Sequence, residues 1–313
     1  MENNTSAFLH AENNNSSYEN YDVDKIGMGY LNATGEIKYT LKNDIMFHIV
    51  MNKSEEALKG LICALKGLEF HEIKSVTIIN PIDYKECIGK MIVMDVKVEL
   101  NNSEIIDVEL QLYNNQNWEQ RSILYLCRAY DNIGKSEDYT KIKPTLFVAI
   151  TERKYMSKKY MPEFYSRYKL LNIKNHEPYS SLLEMNVLYL DQTELATKED
   201  KENKLDYWAK LFKATTWEEL KAIVKNNPCM EEVAKIMYSS NIIPQEQTIL
   251  EAEERARFIQ RGIYEHGYEE GKRESADLLE IKDKKIEELN KQIAELKKQL
   301  TEYKKFDTKS NFF

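Results

Sequence analysis

Asp95, Glu109 and Gln111 have the residue types and the spacing to do chemistry together. Residues 91–100 alternate, with Val96, Val98 and Leu100 on one side and Asp95, Lys97 and Glu99 on the other. Residues 104–113 alternate likewise, setting Ile106, Val108, Leu110 and Leu112 against Asp107, Glu109 and Gln111. A period of two predicts two strands, and the turn-forming triplet Asn101-Asn102-Ser103 between them predicts a hairpin. Asn102 lies midway between Asp95 and Glu109 in the chain, which sets those two carboxylates directly across the ladder. A slip of one residue would turn both apolar sets to the wrong face, so only even shifts are allowed. Each even shift still leaves Asp95 opposite Asp107, Glu109 or Gln111. Facing carboxylates destabilise a sheet, and a divalent cation removes that cost. Mg²⁺ takes oxygen ligands, accepts one or two carboxylates, and keeps water and substrate phosphate in its remaining positions. An ion so held lowers the pKa of its bound water and stabilises charge on a phosphate. Gln111, on the same face as Glu109, would orient that water or the phosphate. The spacing by itself also suits an amphipathic hairpin whose polar face is simply solvated.

The elements that must position these residues follow from the apolar pattern. Residues 39–66 read as helical, through Leu41, Ile45, Phe47, Ile49, Val50, Leu58, Leu61, Ile62 and Leu65. A strand is expected over 72–80, closed by Pro81, ahead of the hairpin. A helix is expected over 118–132, a buried strand over 145–151 after Pro144, and a further strand over 182–190. Helix, three strands, helix, strand is the order of a layered α/β core. From about Lys204 the pattern is helical throughout, interrupted at Pro228 and Pro244, with a long helix from about 245 to 306. Ile286, Ile293 and Leu300 on one seam position, with Leu289, Leu296 and Tyr303 on the other, make about three heptads. β-branched residues at the first position and Leu at the second favour a parallel coiled-coil dimer; a single solvated helix is the plainer alternative.

Composition narrows the function classes. The chain of 313 residues is 42% hydrophobic and 31% charged, and no run approaches a bilayer span. The start has no basic segment followed by an apolar one, so no secretory signal is expected. Cys63, Cys87, Cys127 and Cys229 form no C-x-x-C pair, which fits reduced thiols in a cytoplasm. The net charge of −8 counts against DNA binding by bulk electrostatics, though a local basic patch is compatible with it. Residues 152–174 offer one, with seven Lys or Arg against two Glu, interleaved with Tyr155, Tyr160, Phe164, Tyr165 and Tyr168. Cations for phosphates and rings for stacking suit a nucleic-acid surface; lysines over core tyrosines are the structural alternative. Ile133-Gly134-Lys135-Ser136 ends like a phosphate-binding loop, but Ala129 stands where its first glycine belongs and no strand precedes it. The five histidines are too dispersed to suggest a metal cluster.

Three segments carry a resemblance: KNDIMFHIVM from residue 42, GKMIVMDVKVELNNSEIIDVELQ over 89–111, and QRSILYLCRAY from 120. They resemble the recombination-promoting nuclease/transposase family, a branch of the PD-(D/E)XK nucleases with Gln in place of the usual Lys. DYTKIKPTLFVAIT, FYSRYKLL, YSSLLEMNVLYLD and WAKLF, then a helical tail with Gly262, Gly267 and Gly271, extend the resemblance over roughly 38–275. It implies a restriction-endonuclease-like α/β core with an α-helical C-terminal region ending in a coiled coil. It implies Asp95 and Glu109 as ligands of Mg²⁺, for which Mn²⁺ would substitute, with Gln111 as the third active-site residue. Asp44 matches the family's acidic position on the first helix; interaction with its own helix dipole is an equal reading. Arg121 and Tyr125 match an R-x-x-x-Y pattern and would contact phosphate, although a surface salt bridge is the plainer reading of Arg121. Glutamine is neutral where lysine is charged, so hydrolysis would be slow or need a second ion.

The organisation expected is a disordered leader over 1–35, a nuclease-like domain over 36–195, a helical region over 196–275, a coiled coil over 276–306 and a tail over 307–313. The expected function is that of a cytoplasmic, Mg²⁺-dependent DNA endonuclease of transposase type, with no membrane partner and with dimerisation through the tail. The alternative is a catalytically weak scaffold working as an interaction protein through its coiled coil.

Overall fold

The computed structural model describes residues 23–79, 95–112, 117–152 and 161–310. The chain forms two compact units, Met1–Ala252 and Glu253–Phe313.

The first unit is built on a six-stranded mixed sheet. Its strands are β1 (Val76–Ile78), β2 (Asp95–Leu100), β3 (Glu104–Gln111), β4 (Thr145–Thr151), β5 (Tyr165–Lys169) and β6 (Leu183–Tyr189). Their order is β1-β2-β3-β4-β6-β5. β3, β4 and β6 run parallel, while β1, β2 and β5 pair antiparallel to their neighbours. Parallel strands are covered on both faces and read as continuous apolar runs; β4, TLFVAIT, is buried at every residue.

One face carries the larger core. Val96, Val98, Ile106, Val108, Leu146 and Val148 pack there with α2 (Asp44–Lys53), α3 (Glu55–Lys66), α6 (Leu205–Lys213) and α8 (Pro228–Ile242). The other face is covered by α4 (Trp118–Tyr130), where Trp118, Tyr125 and Leu126 meet Phe147, Ala149, Val187 and Tyr189. The helical stretch expected over 39–66 is two helices with residues 39–43 outside them. Ser54 ends α2 and caps α3, its Oγ accepting from the Ala57 N–H at 3.0 Å. Ser54→Ala is expected to cost about 1 kcal/mol, read as a lower urea midpoint with an unchanged slope.

Part of the segment read as a leader packs against the helical half. α1 (Val23–Gly27) and a 3₁₀ turn, Met28–Asn32, lie on α8, with Tyr30 buried. A Cβ at Gly29 would stand 2.4 Å from Cε1 of Tyr238, so a larger residue there would require the tyrosine ring to shift. Further along, Asn241 of α8 satisfies both backbone groups of Tyr39, accepting from its N–H at 2.9 Å and donating to its carbonyl at 3.0 Å.

α5 (Lys198–Glu202) and α7 (Trp217–Val224) complete the helices of this unit. Thr197 and Thr216 close capping boxes with Asp200 and Glu219. α9 (Pro244–Ser310) begins here with Leu250 buried, and its later part forms the second unit. In that part Ile286, Leu289, Ile293, Leu296 and Leu300 are exposed. No helix among the described residues is long and apolar enough to cross a membrane.

Candidate active site at the β2–β3 hairpin

Asn101 and Asn102 sit at φ 52° and 55°, left-handed positions that asparagine tolerates, in the three-residue connection between Leu100 and Glu104. The turn they make sets the register, and Asp95 pairs with Glu109, Lys97 with Asp107 and Val98 with Ile106. The hairpin symmetry read from the chain is the one the backbone adopts.

The polar face of β3 is buried, with Asp107 5%, Glu109 6% and Gln111 9% exposed. α4 lies over it, and β4 contributes Phe147 and Ala149 as the register partners of Asp107 and Glu109. A merely solvated hairpin would leave these side chains open to water. Instead, α4 and β4 cover them, and burial makes charge costly there unless it is paired.

Gln111 is held from two sides. Its carbonyl accepts from Thr151 Oγ1 at 2.7 Å, and its Oε1 accepts from the Arg121 guanidinium at 2.8 Å. Arg121 and Tyr125 stand one turn apart on α4, so both face the sheet. The same guanidinium nitrogen reaches the Tyr125 hydroxyl at 3.2 Å, and the guanidinium carbon lies 5.6 Å from the Tyr125 ring centre. The Tyr125 ring in turn meets Phe147 edge-on at 6.3 Å between centres. Arg121 thus reaches from α4 to the polar face of β3.

Asp44 opens α2, beside the cap residue Asn43, whose Oδ1 accepts from the Met46 N–H at 2.9 Å. Two residues earlier, Lys42 pairs with Glu152 at 2.6 Å. Glu152 follows Thr151, the register partner of Gln111. That ion pair fastens the start of α2 to the end of β4, beside the end of β3. The Lys42–Glu152 tie was not anticipated from the sequence; a lysine and a glutamate 110 residues apart carry no local pattern. Among the residues whose side chains are described, no group of three His, Cys, Asp or Glu could hold a metal ion.

A model described as "PD-(D/E)XK nuclease family transposase" matches residues 41–264, more than half of the chain. The chain belongs to this family. No curated protein and no solved structure matches it. Family membership implies nuclease chemistry, and the matched span takes in α2, the whole sheet, α4 to α8 and the first part of α9. The exposed seam from Ile286 onward lies beyond it.

Of the basic, aromatic stretch, residues 165–169 form β5 at the edge of the sheet, and residues 153–160 lie outside the described residues. Phe164 is in the core, and the Tyr165 hydroxyl donates to the Leu65 carbonyl at 2.8 Å and accepts from Asn186 at 2.9 Å. Burial pushes the Tyr165 phenol well above its ordinary value. Arg167 and Lys169 face Glu184 at 3.4 and 3.2 Å. Burial works to raise the Glu184 carboxyl, but Lys169 and Arg167 outweigh it and hold it below its ordinary value. These cations serve the sheet edge. Gly134–Ser136 follows a helix, not a strand, so the phosphate-loop likeness ends there.

Proposed function

We propose that the β2–β3 site hydrolyses phosphodiester bonds of DNA, using a divalent cation held by Asp95 and Glu109. The observation that carries the reading is the pairing of Asp95 with Glu109 on a sheet face where Glu109 is buried. Carboxylates set opposite each other on a ladder repel, and a divalent cation removes that cost. Their oxygens suit Mg²⁺, or Mn²⁺ in its place, with positions left for water and phosphate. When bound, such an ion supplies a more acidic water and neutralises charge on the phosphate. Asp95 and Glu109 fix its position, and Asp44, at the start of α2, adds negative charge from the same end of the sheet. Gln111 donates a hydrogen bond to the attacking water or to a phosphate oxygen. α4 excludes bulk water from the polar face. The role fits a cytoplasmic endonuclease of the transposase type.

The exposed seam of Ile286, Leu289, Ile293, Leu296 and Leu300 favours an additional reading, that two copies pair through this helix as a parallel coiled coil. The same seam supports the alternative of a catalytically weak scaffold acting through its helix.

Supercoiled plasmid nicking by wild type and Asp95→Ala, with Mg²⁺, Mn²⁺ or EDTA, separates these readings. Cation-dependent nicking lost in the variant is the expected result. Equal inertness of two folded proteins under every cation would remove the nuclease reading and leave the scaffold.

A further inference from the structure

Between β5 and β6 the chain forms a two-stranded ribbon at the end of the sheet opposite to Gln111. The Tyr179 N–H donates to the Leu170 carbonyl at 2.9 Å, Leu171 bridges Pro178, and the Asn172 N–H donates to the Glu177 carbonyl at 2.9 Å. Its tip is held by its own side chains. Asn172 Oδ1 accepts from the Lys174 N–H at 2.9 Å, and Asn175 Oδ1 from the Glu177 N–H at 3.1 Å. Every residue from 167 to 179 is exposed. Among them Leu170 is 50% exposed, Leu171 46%, Tyr179 85% and Ile173, at the tip, 90%. A two-stranded hairpin without a core beneath it is marginal in water, and apolar groups gathered on one mark a contact with another molecule.

We propose that this ribbon grips the DNA duplex, with Ile173 wedged between base steps from the minor groove and Lys174 on the adjacent phosphates. Two-stranded ribbons enter the grooves of DNA, and isoleucine is among the side chains that part stacked bases there. The charges favour a polyanion over a second copy of the chain. Lys174 adjoins Ile173, while the Glu177 carboxylate accepts from the Asn175 amide within the turn at 2.8 Å. Arg167 and Lys169 lie on the edge strand at the ribbon's base, so two copies meeting along that edge would bring like charges together. The placement also fits. Glu109 shares a row across the sheet with Ala149, Val187 and Ser166, a width of about 14 Å at roughly 4.8 Å per strand. From Ser166 the chain runs at most about 23 Å to Ile173, at roughly 3.3 Å per residue. Ile173 thus lies within roughly 27 Å of Glu109, less than the ~34 Å of one DNA turn, and a single duplex spans both. The proposal rests on the nuclease reading only in taking DNA as the partner.

The test uses the full chain at low salt in EDTA, where binding is read without cleavage. Anisotropy of a fluorescein-labelled duplex of about three helical turns reports affinity, and 2-aminopurine within the same duplex reports unstacking. Wild type is expected to bind and to raise the 2-aminopurine fluorescence. Ile173→Asn, which adds no charge, should weaken binding roughly 10- to 100-fold and abolish the rise, whereas Ile173→Leu should keep both. Lys174→Gln should keep the rise and flatten the slope of log affinity against log salt by about 0.9. Ile173 is 90% exposed, so these variants should melt with wild type. Unchanged affinity in Ile173→Asn would overturn the inference; loss of self-association by that variant in sedimentation would then give the ribbon to a second copy. Wild type that binds no duplex would overturn it as well. Failure of the nuclease reading looks different: a wild type that binds through Ile173 yet nicks nothing with Mg²⁺ or Mn²⁺ loses the cleavage and keeps the ribbon's role.

Discussion

Glu109→Gln is expected to reduce nicking by about a thousandfold while leaving the protein as stable in EDTA as wild type, or more so. Glu109 is 6% exposed and faces Asp95 across the ladder. Like charges facing each other across a ladder repel. Neutralising one member relieves up to about 1 kcal/mol of repulsion, and the amide keeps the size and shape of the carboxylate. With a cation, the balance reverses. Wild type gains stability as the logarithm of cation concentration over its dissociation constant, whereas the variant has lost half of the charged donor set and should gain little. Losing the stabilisation of a charged transition state, several kcal/mol, gives the thousandfold figure at about 1.4 kcal/mol per decade. Melting curves in EDTA and in millimolar Mg²⁺, run beside a nicking assay, read all three effects. A variant that cuts within threefold of wild type would remove Glu109 from the chemistry.

The largest stability effect is expected from Phe47→Ala, at about 3–5 kcal/mol. Phe47 is fully buried on α2, and its ring centre lies 5.7 Å from that of Phe212 on α6. The contact joins the helix that begins at Asp44 to the helices after residue 204. Truncation opens a cavity between them and should lower the melting temperature by roughly 10 °C in a unit of this size. The same variant is expected to lose cleavage at 37 °C before it unfolds, because α2 carries Asp44 to the end of the sheet. A drop below about 3 °C by calorimetry would mean that α6 is not part of the nuclease core.

Much of this site is local information, and local information is what a sequence displays. The pairing of Asp95 with Glu109 follows from alternation and a two-asparagine turn within twenty residues of chain. The bounds of β4 are visible because a strand buried on both faces is apolar at almost every position. The covering of Glu109 and Gln111 is not local. It depends on α4 folding back over β3, and nothing in EIIDVELQ announces that its polar face will be roofed. The break at Ser54 was legible in principle, since Ser-Glu-Glu is a helix start, but the apolar spacing runs through it unbroken. The packing of residues 23–32 was hidden for another reason. Two glycines and a tyrosine in a polar stretch resemble a loose leader until α8 is in place to receive them.

The bonds between Tyr39 and Asn241 join residues 202 positions apart, and that separation governs how the chain is made. At about 5–20 residues per second of synthesis, roughly 10 to 40 s pass between the emergence of the two partners. In that interval the buried rows of α2, α3 and β4 are complete but uncovered, since the helices that seal them are still being translated. A nascent chain in this state exposes the apolar surface that holding chaperones recognise.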